Sequence, residues 1–270
     1  MSSFDLASYF SRIGHEGSRE ATLETLRELH GQHPQAIVFE NIDVLLKRPI
    51  RLDPDALFAK LVTDARGGYC YEQNTLFKSA LEAIGFSVRS LGAEVLWRYP
   101  PGPARSRSHM LLAIALPDGD YIADVGFGNL TLTAPLRLEA GAEQSTPHGA
   151  YRLMPDGEEL RLEAKTGEAW SPVYRIALRE EPPAHWEVFS WYTSTHPDSR
   201  FTRELMMARP AEDRRFALLN NVLNTYHLDG ASERRVIESA TELEKVLDEV
   251  FSLDLPQTVP VLWQQLGLGA

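Results

Sequence analysis

The sequence predicts an α+β protein, with a helical first third, an antiparallel β-barrel in the middle and a mixed α/β stretch at the end. Apolar residues recur at helical spacing as far as Gly85 and alternate thereafter. Hairpin turns punctuate the middle third, and Pro182-Pro183 marks the passage into a final stretch where both periods occur.

In the first third, Ser3 is placed to cap a helix carrying Phe4, Tyr9, Phe10 and Ile13, closed at Gly14. Ser18 can cap a second, with Leu23, Leu26 and Leu29 on one face and Gly31 at its end. Residues 36–44 are apolar but interrupted by Glu40-Asn41. Asp53-Pro54 supplies an N-cap and an N1 proline for a third helix with Leu57, Phe58 and Leu61 inward. The fourth opens at Cys70, carries Leu76, Phe77, Ala80, Leu81 and Ile84, and stops at Gly85.

Strands follow at 86–91 and 95–97, then at 108–116 and 121–125 around the turn Pro117-Asp118-Gly119-Asp120. A second hairpin turns at Pro155-Asp156-Gly157, and 173–178 adds another strand. The clearest late helix runs from about Ala240 through Val250.

Composition bounds the function. At 270 residues the chain can bury a substantial core, and its 43 % hydrophobic and 24 % charged content is that of an ordinary globular protein. Lys+Arg 27 against Asp+Glu 38 gives a net charge of −11, which disfavours nucleic acid and acidic membranes as partners. One cysteine excludes an internal disulfide framework, and the absence of HExxH or paired-cysteine spacing argues against a metal site. Neither a signal peptide nor an apolar run of membrane-spanning length is visible, so a cytoplasmic location is expected.

Cys70, the only cysteine, follows Gly67-Gly68 at a helix start, where free N–H groups and the helix dipole favour an anion. It reads as a thiolate nucleophile or as a small core thiol. The paired glycines would give a ligand room. A nucleophile needs a base and a group to orient it. His109 heads an apolar strand, where its ring needs a partner; His15, His30, His33, His148, His196 and His227 lie in polar or helix-end settings, and His185 in a Pro-rich passage. Asp124 ends the returning strand, as orienter of His109 or as a turn cap. With Asp118-Gly119 as the hairpin loop, His109 and Asp124 share a face but stand four residues out of line, about 13 Å apart. A direct bond between them requires a bulge, coiling or a shifted register.

With Arg66-Gly67-Gly68-Tyr69-Cys70, His109 and Asp124-Val125-Gly126-Phe127-Gly128 in this order, the chain resembles the arylamine N-acetyltransferases nearly end to end. Phe39-Glu40-Asn41, Pro135-Leu136 and Thr195-His196-Pro197-Asp198-Ser199-Arg200-Phe201 extend the likeness. Asn129 departs from a frequent glycine, and Ser190 from a common asparagine. The resemblance implies a papain-like Cys-His-Asp triad in three parts: a helical bundle (1–85), a β-barrel (86–190) and an α/β lid (191–270). It implies acetyl-CoA as donor, an aromatic amine or hydrazine as acceptor, no metal, and a monomer or weak homo-oligomer. Cys70, His109 and Asp124 would be catalytic, with an acetyl-cysteine intermediate. Ser108, Gly126, Phe127, Gly128 and Phe201 would contact coenzyme. Phe39, Tyr69 and Phe127 would line the acceptor pocket, and Glu40 would pair with Arg66 beneath the site. An amide synthase of the same family taking a larger acyl thioester, and a papain- or transglutaminase-like hydrolase, are the competing readings.

Overall fold

The structure is a computed structural model and describes residues 4–100 and 102–268. Helix α1 (Leu6–Ile13) is capped by Asp5, whose side chain accepts from the Ser8 N–H, and ends at Gly14 in the left-handed region. Ser3, the expected cap, lies outside the described residues. Helix α2 (Leu23–Ala36) starts from Thr22, not Ser18, and does not stop at Gly31. It continues because its last turns bury His30 and His33 against α5, and Pro34 ends up inside it. Residues 39–45 form a short strand β1 (Phe39–Glu40) and a single turn α3 (Ile42–Leu45). Asp53 caps α4 (Pro54–Phe58), which runs into a π-helical turn at Ala59–Thr63. Helix α5 (Cys70–Ile84) buries Leu76, Phe77, Ala80 and Leu81 and closes at Gly85, φ 111°.

The middle of the chain is an eight-stranded antiparallel sheet: β2 (Ser87–Val95), β3 (His109–Leu116), β4 (Gly119–Ala123), β5 (Leu136–Arg137), β6 (Glu143–Thr146), β7 (Gly149–Asp156), β8 (Glu159–Thr166) and β9 (Ala169–Glu180). Its order is β5-β4-β3-β2-β9-β8-β7-β6. The two edges meet through Gln144, whose side chain accepts from the Arg137 N–H at 2.7 Å and donates to the Arg137 carbonyl at 2.9 Å. A nearly closed barrel results, its inward residues Leu91, Leu111, Ile122, Leu153, Leu162 and Ile176 forming one core.

Helix α6 (Pro183–Thr195) starts at the paired prolines. Strands β10 (Met206–Pro210), β11 (Arg214–Leu219), β12 (Val222–His227) and β13 (Ser232–Val236) form a second antiparallel sheet, with β1 on its β10 edge. Helices α7 (Ala240–Glu249) and α8 (Val259–Gln265) pack against it through Leu243, Val246, Leu247 and Leu262. No helix among the described residues is long and apolar enough to cross a membrane.

Candidate active site

Cys70 is the first residue of α5 and points, 3 % exposed, into a cleft of about 810 Å³ between barrel and second sheet. His109 begins β3 beside it. Its Nε2–H donates to Oδ2 of Asp124 at 2.7 Å, which leaves Nδ1 as the ring's remaining nitrogen, with Cys70 among the groups that raise the ring's pKa. The expected offset of His109 and Asp124 is corrected by the hairpin itself. Leu116 pairs with Gly119 and Leu112 with Ala123, so the loop is Pro117-Asp118 and the register moves by two residues. The misalignment falls to about 7 Å. The rest closes because Asp124 lies beyond β4, where the backbone leaves the sheet: Thr131 Oγ1 donates to the Asp124 carbonyl, and His30 Nε2 lies 3.3 Å from the Asp124 N–H.

Asp124 is fully buried. Burial alone would raise its pKa, but the His109 charge and hydrogen bond, the Gly126 N–H at 3.0 Å and Asn74 Nδ2 at 3.1 Å hold it below the usual carboxylate value. For His109, burial favours the neutral ring; the Asp124 charge and hydrogen bond, with the Cys70 contact, outweigh it and push the pKa up to about 10. The ring is held by two aromatic neighbours, Phe127 edge-on at 5.0 Å and Tyr174 tilted at 5.2 Å.

Phe39, Ser108, Gly126, Phe127, Gly128 and Phe201 all line the cleft with Cys70 and His109, so most of the expected contact residues converge. Tyr69 does not. It is fully buried behind the wall, its hydroxyl 2.5 Å from Ser190 Oγ and its ring against Phe201, because the turn into α5 aims it away from the cleft. Gly67 and Gly68 also differ from expectation: the space beside them is filled by the protein. A Cβ at Gly67 would meet the Val38 carbonyl at 2.3 Å, and one at Gly68 would meet Glu72 at 2.8 Å. Gly126 is small for a related reason, its added Cβ meeting Cys70 Cα at 2.8 Å, whereas Gly128 adopts φ +86° in the turn.

Glu40 Oε1 accepts from Arg66 at 2.7 Å, as the resemblance implied, and Oε2 takes the Ile42 N–H at 2.6 Å. Asp43 and Lys60 extend the pair: Lys60 lies 2.8 Å from Asp43 and 2.7 Å from Glu72, which in turn accepts the Tyr69 N–H. Asn41 donates to the Phe201 and Glu204 carbonyls and accepts from Met206 N–H, fixing the stretch that brings Phe201 to the cleft.

Sequence reasoning gave no role to Asn74, Gln73, His33 or Glu72, all buried around the Cys70 turn. Gln73 Nε2 donates to the carbonyls of Ile37, Val38 and Gly68, so its Oε1 accepts from His33 Nε2–H at 2.8 Å. His33 Nδ1 must then accept from the Tyr9 hydroxyl, 2.7 Å away. The visible signal was a run of polar side chains, Glu72-Gln73-Asn74, on the first turn of an otherwise apolar helix. Among the described residues no group of three or more His, Cys, Asp or Glu could hold a metal ion.

A buried thiol at a helix start, an imidazole at a strand start and a carboxylate beyond the next strand, on an α+β frame, define the papain-like class of Cys-His-Asp proteins. A family model described as N-acetyltransferase matches residues 22–259. An arylamine N-acetyltransferase of Mycolicibacterium smegmatis is 42 % identical over 255 residues, 93 % of this chain and 92 % of that protein. One of Escherichia coli (strain K12) is 40 % identical over 249 residues, 92 % and 88 % of the two chains. The solved structure of Mycobacterium marinum arylamine N-acetyltransferase in complex with CoA matches with a TM-score of 0.93 at 38 % identity, covering 97 % of this chain and 98 % of that one. The chain belongs to the arylamine N-acetyltransferase family.

Proposed function

We propose that this protein transfers the acetyl group of acetyl-CoA to arylamines, arylhydrazines or hydrazides through an acetyl-cysteine on Cys70. The observation that carries the reading is the Cys70–His109–Asp124 arrangement at the floor of a cleft in a chain of this family. His109, its pKa near 10, is a strong enough base to take the Cys70 proton. The thiolate attacks the acetyl thioester, and the coenzyme thiolate leaves. The acceptor nitrogen then attacks acetyl-Cys70, passes its proton to His109 and releases the cysteine sulfur. Aromatic amines and hydrazines are weak bases and stay neutral and nucleophilic at pH 7. Asp124 holds the His109 tautomer and balances imidazolium.

Phe39, Phe127 and Phe201 supply an apolar wall for an aromatic acceptor. Arg98, Arg105, Arg107 and Arg200 line the same cleft and offset the overall negative charge where coenzyme phosphates would lie. Ser108 and the Gly126–Gly128 turn offer short polar and backbone contacts to the same ligand.

Mass spectrometry after mixing with acetyl-CoA alone tests the reading. One acetyl group is expected on Cys70, discharged by an arylhydrazine. Full turnover by Cys70→Ser, or release of CoA with no trappable acetyl-cysteine on rapid quenching, would overturn it.

A further inference from the structure

Helix α6 stands between two cavities. Val188 and Tyr192 line the Cys70 cleft, while Glu187, Trp191 and Ser194 line a second cavity of about 690 Å³. Each set recurs at helical spacing, so the helix presents one face to each cavity. Trp191 is 65 % exposed, although so large an aromatic side chain is ordinarily well covered. The second cavity has no part in the chemistry above.

Its opposite wall is the stretch 47–53, which joins α3 to α4 and is held in place by its own contacts. The Arg48 N–H donates to the Asp43 carbonyl at 2.8 Å and its guanidinium to the Asp43 carboxylate at 3.1 Å. Arg51 pairs with Asp53 at 2.9 Å, and Asp53 caps α4. Val44, Ile50 and Leu52 add apolar lining. The charged lining is Lys47, Arg48 and Arg51 against Asp53 and Glu187, a positive balance in a chain that carries −11 overall. Arg48 and Arg51 have carboxylate partners, but Lys47 has none among the described residues. Its backbone holds φ +54°, a conformation that a residue with a side chain seldom takes.

We propose that this cavity binds a small aromatic carboxylate, its ring on the Trp191 indole and its acid group on Lys47 and Arg51, while the Cys70 cleft remains free to hold CoA. An indole face and aliphatic lining take a flat ring, and an unpaired ammonium beside a guanidinium takes an acid. A bare inorganic anion would leave the apolar lining uncovered. Glu187, on the other wall, disfavours a second acid group. The volume suits a molecule of one or two rings. The two cavities share a wall: Ser190 lines the second cavity and its Oγ lies 2.5 Å from the Tyr69 hydroxyl, whose ring packs on Phe201 of the cleft. The occupant therefore lies beside the acetyl site without entering it.

The experiment is calorimetric titration of the full chain with 1-naphthoate, with and without saturating CoA. One site is expected, with the same Kd in both conditions. Affinity should fall about fivefold in Lys47→Gln and about tenfold in Trp191→Ala. Neither residue lines the Cys70 cleft, so both variants should be acetylated by acetyl-CoA at the wild-type rate. No binding at millimolar 1-naphthoate, displacement by CoA, or equal binding of the neutral 1-naphthalenemethanol overturns the proposal. If Trp191→Ala does not fold, the exposed Lys47→Gln decides, and unchanged affinity overturns it. A wild type that binds 1-naphthoate as expected but is never acetylated would remove the function reading alone.

Discussion

Asn74, four residues along α5 from Cys70, donates Nδ2–H to Asp124 Oδ1 at 3.1 Å and to the Met110 carbonyl at 2.8 Å, while its own Oδ1 accepts the Val125 N–H at 3.2 Å. One amide thus ties the helix bearing the thiol to the strand after the imidazole and to the turn bearing the carboxylate. Asn74→Leu removes all three contacts in a buried place. It should cost about 2–4 kcal/mol in urea unfolding and slow acetylation of Cys70 by at least tenfold. Wild-type acetylation in a folded variant would show that Asn74 only packs.

Gly126→Ala should abolish acetylation while leaving much of the barrel intact. The new methyl would meet the Cys70 backbone and the Asn74 amide at 2.8 and 2.9 Å, and backbone cannot swing aside as a flexible side chain can. Circular dichroism, together with the yield of acetyl-cysteine, checks both halves. Gly128→Ala is a different case, a φ +86° position with only the Phe39 ring nearby, and should act through backbone strain.

Lys60→Met should destabilise the protein by about 3–5 kcal/mol, because Glu72 is almost wholly buried and Lys60 is its charged partner. Burial already raises the Glu72 pKa, and losing the cation should lead it to bind a proton. Adding Glu72→Gln should then recover part of the loss. A double-mutant cycle by urea unfolding measures the coupling, and a value near zero would mean the pair contributes nothing.

Stability should fall as the medium is acidified from pH 6.5 towards 4. Burial lowers the pKa of His30 to about 4 and of His33 to about 3, so in that interval the unfolded chain binds protons that the folded chain refuses. By pH 4 the loss is on the order of 3 kcal/mol per histidine. His109 acts in the opposite sense: its stabilisation is complete below pH 6.5 and is lost as pH rises through about 10. Asp124, with its lowered pKa, contributes above its ordinary value of 3.8 and loses this only at more acid pH. Unfolding free energies at pH 4.5, 5.5 and 6.5, in wild type and in His33→Gln, provide the check. A flat wild-type profile would contradict a neutral buried pair, and His33→Gln should reduce the slope.

Local features were legible in the sequence because they are decided within a few residues. Asp53-Pro54 starts a helix and Gly85 ends one through cap chemistry alone, and the change of period after Gly85 marks the barrel. Gly31 misled because its intrinsic preference is small beside the burial of His30 and His33 on either side of it. The hairpin register depended on which two residues make the loop, a choice between Pro117-Asp118 and Asp118-Gly119 that alternation cannot resolve. Tyr69 is placed on the acceptor wall by the resemblance, together with Phe39 and Phe127, but its side chain at the helix start points away from the cleft that Cys70 faces. Partners such as His33 and Gln73, forty residues apart, leave no trace in spacing.

Strand β1 carries a consequence for how the molecule assembles. Phe39 and Glu40 pair with Ala208 and Met207, across nearly the whole of the intervening chain. During synthesis the first helices and this dipeptide emerge long before their partner strand exists, so the edge of β1 that faces β10 waits unpaired while the barrel forms, its other edge being bridged locally to Gly68. Closing that contact orders a loop of well over a hundred residues, which belongs to the slow, late part of folding. Asn41, next in sequence, fastens the Phe201 stretch at the same seam. The cleft that holds Cys70 is therefore expected to be among the last features to take shape.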